Sequence, residues 1–149
     1  MISRETTSAE ITIRPFHEDD RRSLIALWRA SGLCTSNNNP DLDIDRKLKV
    51  DPQLLLVAIK DEELVGSLMG GYEGHRGWVN YLAVSSNYRR QGIASRLMNR
   101  IEVDLLAKGC PKVNMQVRNT NVEVLAFYAA LGYLDDKVIG LGKRLVYDN

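Results

Sequence analysis

This sequence predicts an α/β (α+β) fold, a mixed, largely antiparallel central sheet with helices on both of its faces. Three observations predict it. Two hairpin patterns follow one another between Leu54 and Val84, a strongly periodic helix runs from Ile93 to Leu105, and a strand-like stretch, Pro111 to Val117, leads into a second helical pattern closed by Gly132. Hairpins pair antiparallel, whereas a strand that returns after a helical crossover lies parallel to its predecessor, so one sheet holds both kinds of pair.

The chain has 149 residues, 44% of them hydrophobic and 26% charged. That is the size of one compact domain, which buries roughly 68–70% of the surface its unfolded chain exposes and needs no disulfide or structural metal. The reading is a loose tail over residues 1–9, rich in Ser and Thr and without a hydrophobic period, and a single domain over residues 10–149. Ile11, Ile13 and Pro15 then mark a short strand, and Asp19 or Asp20 caps a helix with Leu24, Leu27 and Trp28 on one face. Cys34 to Pro40 is a polar loop, followed by a short helix within Asp41 to Val50 that carries Asp41, Asp43 and Asp45. Leu54 to Ile59 and Leu64 to Tyr72 flank a charged turn at Asp61 and Glu62, and a second turn, Glu73 to Gly77, leads to the returning strand Trp78 to Val84.

The best helix follows, with Ile93, Leu97, Met98, Ile101 and Leu105 at 3.6-residue spacing and Gly109 where a helix stops. Asn121 to Leu131 sets Val124, Phe127, Tyr128 and Leu131 on one face, and Lys137 to Val146 has the composition of a final strand or hairpin. The predicted order is β-α-α-β-β-β-α-β-α-β.

Composition also excludes functions. The net charge is only +1, divided as −4 over residues 1–75 and +5 over residues 76–149, and there is no nucleic-acid-binding signature, so no nucleic-acid partner is expected. The longest purely apolar run, Leu54 to Ile59, falls far short of the roughly 20 residues that span a bilayer. With no apolar targeting region near Met1, the reading is a cytoplasmic protein without a membrane partner. Cys34 and Cys110 stand apart from each other and from any zinc-ligand spacing. The Walker, Rossmann, HExxH, GxSxG and EF-hand patterns are all absent, and no metal site is expected.

One segment carries chemistry. From Tyr81 to Ala94 a buried strand, a short loop and a helix start come in immediate succession. The first amides of a helix lack intrahelical partners and sit at the positive end of its dipole, so they stabilise a phosphate placed there. Gly92 lets the backbone curl, Ala94 permits close approach, and Arg89 and Arg90 add positive charge. Taken alone, the loop also reads as an eased turn with solvated arginines, and Tyr128 as a core tyrosine.

The loop Arg89-Arg90-Gln91-Gly92-Ile93-Ala94, preceded by Leu82-Ala83-Val84, resembles the Q/R-x-x-G-x-G/A signature of the GNAT superfamily of acetyl-CoA-dependent N-acetyltransferases. A second motif is similar to that family's N-x-x-A-x-x-x-Y-x-x-x-G-F/Y helix: Asn121, Val124, Phe127-Tyr128 and Gly132-Tyr133 fall in register, with Val124 in place of the alanine. The segments 43–48, 70–75, 109–112 and 141–145 resemble the bacterial YpeA-type acetyltransferases in particular.

The resemblance implies a GNAT-like fold and acetyl-CoA as co-substrate. It implies that Leu82, Ala83 and Val84 offer backbone groups to the pantetheine arm and that Arg89, Arg90, Gln91, Gly92, Ile93, Ala94 and Ser95 cradle the pyrophosphate. Asn121 would hydrogen-bond the cofactor, and Tyr128 would be the general acid for the departing thiolate. A neutral amine would attack directly in a ternary complex, through an oxyanion held by amides near Val84. Gln116 stands where several N-terminal acetylating relatives carry a glutamate base, and Ser86 replaces a common proline. The implied partner is an amine acceptor, a small molecule or a protein amine, handled by a monomer or a homodimer. With no base identified, an acyl-CoA-binding regulatory module without turnover is the alternative.

Overall fold

Leu54 to Ile59 is apolar at every position because the strand it forms is covered on both faces. The computed structural model describes residues 10–148, and the expected tail over residues 1–9 lies outside them. The elements are β1 (Thr12–Pro15), α1 (Arg21–Ala30), α2 (Pro40–Lys47), β2 (Leu55–Lys60), β3 (Glu63–Tyr72), β4 (Gly77–Val84), α3 (Ile93–Ala107), β5 (Val113–Asn114) and α4 (Val122–Ala130). The sheet runs β1-β2-β3-β4-β5, antiparallel at each step until β5, which pairs parallel with β4. This is the mixed, mostly antiparallel sheet that the hairpins and the strand–helix–strand unit predict.

Side chains of successive strand residues point to opposite faces. Leu54, Leu56 and Ala58 accordingly join one buried cluster, with Ile93, Leu97, Met98, Ile101 and Leu105 of α3, while Leu55 and Val57 join the other, with Leu24, Leu27 and Trp28 of α1 and Ile44 of α2. All five periodic positions of α3 are fully buried. Each such side chain contributes about 1.5–3 kcal/mol of burial, an upper range because denatured chains already hide some surface. The β2–β3 turn places Asp61 and Glu62 at φ 51° and 64°, the double left-handed pair of a two-residue hairpin turn whose twist matches the strands.

Three expectations are corrected. Asp20 does not cap α1 with its side chain: Glu18–Asp20 forms a 3₁₀ turn, and the Asp20 carboxylate instead accepts bonds from His17 N–H at 2.8 Å and from Arg14 at 2.7 and 3.0 Å. Burial pushes that carboxyl up, but the bonds from Arg14 and His17 outweigh it and hold it below its ordinary range. The strand expected over Pro111 to Val117 shrinks to Val113–Asn114. The expected final strand over Lys137 to Val146 does not form, and Val138, Ile139, Leu141 and Leu145 are exposed. Strand propensity is realised only on a pleated, half-buried surface with a partner, and the two-residue β5 extends no ladder to this segment. Its end is fixed instead by Asp148, which takes Arg46 of α2 at 2.6 and 2.9 Å. Among the described residues no helix is long and apolar enough to cross a membrane.

The α3 face lies against the backbone of β3 at Gly70, where an added Cβ would meet Ile101 Cγ1 at 2.7 Å. Ile101 is fully buried and has no room to retreat. Gly70→Ala is expected to destabilise the protein by about 1–3 kcal/mol, the usual cost of overpacking. Gly142→Ala, with nothing within 4 Å of the added atom, is expected to stay within about 0.5 kcal/mol of the parent. Urea unfolding midpoints of the two variants check both.

Candidate functional site

The site starts from a fault in a strand. Between Ser67 and Met69 of β3 the ladder advances two residues, while on β4 it advances three, from Ala83 back to Asn80. The extra residue is a β-bulge, and Tyr81 within it has φ 54°, a left-handed conformation that is costly for a bulky side chain. Its surroundings determine it from every side. The ring stacks on Trp28 with centroids 3.7 Å apart and planes 12° from parallel. Its carbonyl accepts from Ser67 Oγ at 2.8 Å, and the same Oγ accepts from Trp28 Nε1 at 3.0 Å. Its hydroxyl donates to Asp43 Oδ2 and accepts from Asn38 Nδ2, both at 2.5 Å.

Two residues into its length, ahead of the bulge, β4 loses one neighbour. β5 pairs with it only at Gly77 and Trp78, so from Val79 onward that edge has no strand partner among the described residues. Ser85 N–H bonds back to Val65 of β3 at 2.8 Å. By strand alternation Val84, and Leu82 two residues before it, turn their amide and carbonyl groups to the open side. Such an edge pairs with an extended ligand as with another strand. The side chains of Leu82 and Val84 are half-buried against the α3 cluster, and Ala83 is buried on the α1 face.

The strand leads into the helix start. Arg90 has φ 64° and Gly92 φ 76°, and Gly92 is the N-cap of α3 without a side-chain cap. Among the described residues the amides of Gln91, Gly92, Ile93, Ala94 and Ser95 find no hydrogen-bond partner. They present a row of donors at the positive end of a 15-residue helix. A Cβ built on Gly92 meets nothing within 4 Å, so a ligand can reach these amides. Arg89 and Arg90 are exposed, while Gln91 Oε1 accepts from Lys60 Nζ at 2.6 Å. Ile93 contributes only its backbone, because its side chain is a core residue against β3. A cleft of about 440 Å³ joins the end of β4 to this loop, bordered by Val84, Ser85, Arg89, Leu27 and Ser31.

Tyr128 does not border that cleft. It is buried in the α3-side cluster with Leu82 and Val84, edge-on to Phe127 and Tyr133. Burial pushes its phenol up to about 12, so it carries its proton throughout the neutral range. The Asn121 side chain caps α4 by accepting from Val124 N–H at 3.3 Å, which leaves its amide NH₂ to donate. The sequence reading located the strand end, the loop and both motif helices. It missed the grouping of Trp28, Asn38, Asp43 and Ser67 around Tyr81, which lie 14 to 53 residues from it and carry no spacing signal.

A strand edge with open amides that runs into an open helix N-terminus is an arrangement that can receive a long, extended ligand ending in phosphate. The sequence matches the Acetyltransferase (GNAT) family over residues 14–133, and the chain belongs to that family. It is 49% identical to Acetyltransferase SG1711 of Sodalis glossinidius over 91% of this chain and 96% of that protein. The fold is shared with an AAC(6')-Iy aminoglycoside acetyltransferase in complex with a CoA bisubstrate analogue, at TM-score 0.75 and 19% identity over 91% of this chain and 99% of that one. It is also shared with a chain of the NatC complex bound to Gag peptide and CoA, at TM-score 0.75 and 21% identity over 86% and 87%.

Two outcomes follow from this packing. Ser67→Ala removes the acceptor of Trp28 Nε1 and the donor to Tyr81 O together, and is expected to cost about 1–3 kcal/mol in a denaturant titration. The phenols of Tyr81, Tyr128 and Tyr133 are all held above their ordinary value, first by burial. The folded protein therefore keeps protons that the unfolded chain releases near pH 10, and stability falls as pH rises from about 10 toward 12. Thermal midpoints measured across that range check this, and Tyr128→Phe flattens the fall.

Proposed function

We propose that this protein transfers the acetyl group of acetyl-CoA to a primary amine by direct attack in a ternary complex. The observation that carries the reading is the succession of two sets of free backbone groups, at the open edge of Leu82 and Val84 and at the amides of Gln91 to Ser95. A CoA thioester has that shape: an amide-bearing pantetheine arm ending in a pyrophosphate. The arm pairs with β4 as an extra strand, and the pyrophosphate lies on the α3 N-terminus between Arg89 and Arg90. Asn121 donates to the arm from the start of α4.

The acetyl carbonyl then falls near the bulge, where amides released from the ladder stabilise the tetrahedral oxyanion. A neutral amine adds to the carbonyl carbon, the carbon–sulfur bond breaks, and the electron pair leaves on sulfur. Tyr128 faces this event as a protonated phenol and supplies the proton or hydrogen bond that the departing thiolate needs. The amine has lost its own proton to water beforehand, since Gln116 supplies no base. No covalent enzyme intermediate forms. Support comes from the family membership, from relatives named acetyltransferases and from shared folds in complex with CoA or a CoA analogue.

Calorimetric titration with acetyl-CoA tests the cradle. The parent is expected to bind, and Gly92→Glu, which puts a carboxylate and a strained left-handed residue in the cradle, is expected not to, with both proteins folded by circular dichroism. Tyr128→Phe is expected to keep acetyl-CoA affinity and to lower kcat by about 10²–10⁴-fold, the range for loss of a general acid, in a thiol-release assay. Binding without thiol release from any amine would instead identify a regulatory acyl-CoA-binding module.

A further inference from the structure

The carboxylate of Asp43, on α2, is aimed at the β4 bulge. Its Oδ2 accepts from Tyr81 Oη at 2.5 Å, and Asn38 Nδ2 reaches the same Oδ2 at 3.5 Å. Its Oδ1 accepts no hydrogen bond among the described residues. Arg46 Nη1 approaches Oδ1 only to 3.8 Å, and that guanidinium is already engaged by both oxygens of Asp148 at 2.6 and 2.9 Å. The other acidic residues of α2 differ: Asp41 and Asp45 both bond Arg21, at 3.2 and 2.7 Å. Asp43, with its side chain 24% exposed, thus has one oxygen free of hydrogen bonds, with the Arg46 guanidinium 3.8 Å away and itself bonded to Asp148. A charge fixed by hydrogen bonds at a partly desolvated position attracts a cation more strongly than one in open water.

Its position specifies which cation. Tyr81 belongs to β4 and leads directly into Leu82–Val84, but its ring extends away from the strand to reach Asp43 at its tip. A group bound on Asp43 is therefore separated from the strand by a whole phenol ring. It cannot be the amine that attacks a thioester lying on that strand. We propose that Asp43 recognises a second positive charge on the acceptor, remote from the amine that is acetylated, with Tyr81 and Asn38 as the residues that position its carboxylate. The acceptor class is then a small compound with two ammonium groups. This rests on the acetyl-transfer reading above.

The test uses 1,4-diaminobutane as the probe, titrated into CoA-saturated protein at low salt, with acetyl-CoA affinity measured on each variant as a report on the cradle. Saturable binding by the parent is expected, weakened about tenfold or more in Asp43→Asn and largely restored in Asp43→Glu. In rate assays the parent is expected to prefer 1,4-diaminobutane over 4-aminobutanol, and that over 4-aminobutanoate, through KM and not kcat. Equal diamine affinity in parent and Asp43→Asn, or no saturable binding by a parent that binds acetyl-CoA, overturns the proposal alone. A parent that binds no acetyl-CoA overturns the acetyl-transfer reading and this proposal with it. If Asp43→Asn does not fold, Tyr81→Phe carries the test: a severalfold loss of diamine affinity is expected, and unchanged affinity overturns the proposal.

Discussion

The left-handed Tyr81 in the middle of β4 is the constraint on which the rest of the site depends. A conformation of this kind costs about 1–3 kcal/mol and persists only where neighbours over-determine it. Trp28 from α1, Ser67 from β3 and Asp43 with Asn38 from the α2 side all converge on this one residue. The extra residue also resets the alternation of the strand. Tyr81 and Ala83 face the α1 cluster while Leu82 and Val84 face α3; a slip of one position would exchange those faces and empty both clusters. The same core packing that stabilises the fold therefore holds the bulged strand in its shape.

The charge excess of each half of the chain is not shared evenly by its elements. Residues 1–75, with their excess of acid, supply α1, α2 and the first three strands, and residues 76–149, with their excess of base, supply β4, the Arg89–Arg90 loop and α3. The sheet thus carries a cationic loop at the end of β4, while on the face where Tyr81 points α1 holds Arg21, Arg22 and Arg29 and α2 sets Asp41, Asp43 and Asp45 beside Arg46 and Lys47.

What the sequence made legible was whatever is local. The five apolar positions of α3, the Asp61-Glu62 turn and the loop before α3 are each written within a few neighbouring residues, and each formed as its pattern demands. The bulge was not legible, because left-handed backbone is ordinarily marked by glycine or asparagine and here falls on a tyrosine. Its cause lies in partners 14 to 53 residues away in sequence. Asp20 misled for a related reason: its capping chemistry is real, but Arg14 on β1 competes for the carboxylate with two bonds. Lys137 to Val146 misled because apolar alternation describes a strand only when a neighbouring strand is there to pair with.

The environment of Tyr128 bears on how the proposed reaction ends. A general acid works best when its pKa lies near the operating pH, and burial has moved this phenol the other way, to about 12. An alkyl thiol ionises near 8.5, so a complete proton transfer from Tyr128 to a fully formed thiolate runs uphill by several kcal/mol. The buried phenol is better matched to a shared proton. It is always protonated, it is held in an apolar cluster where its hydrogen bond is strong, and it stabilises the negative charge while that charge is growing on sulfur. In the proposed reaction the final proton would reach the thiol from water as the product leaves, and Tyr128 would not pass through a buried phenolate.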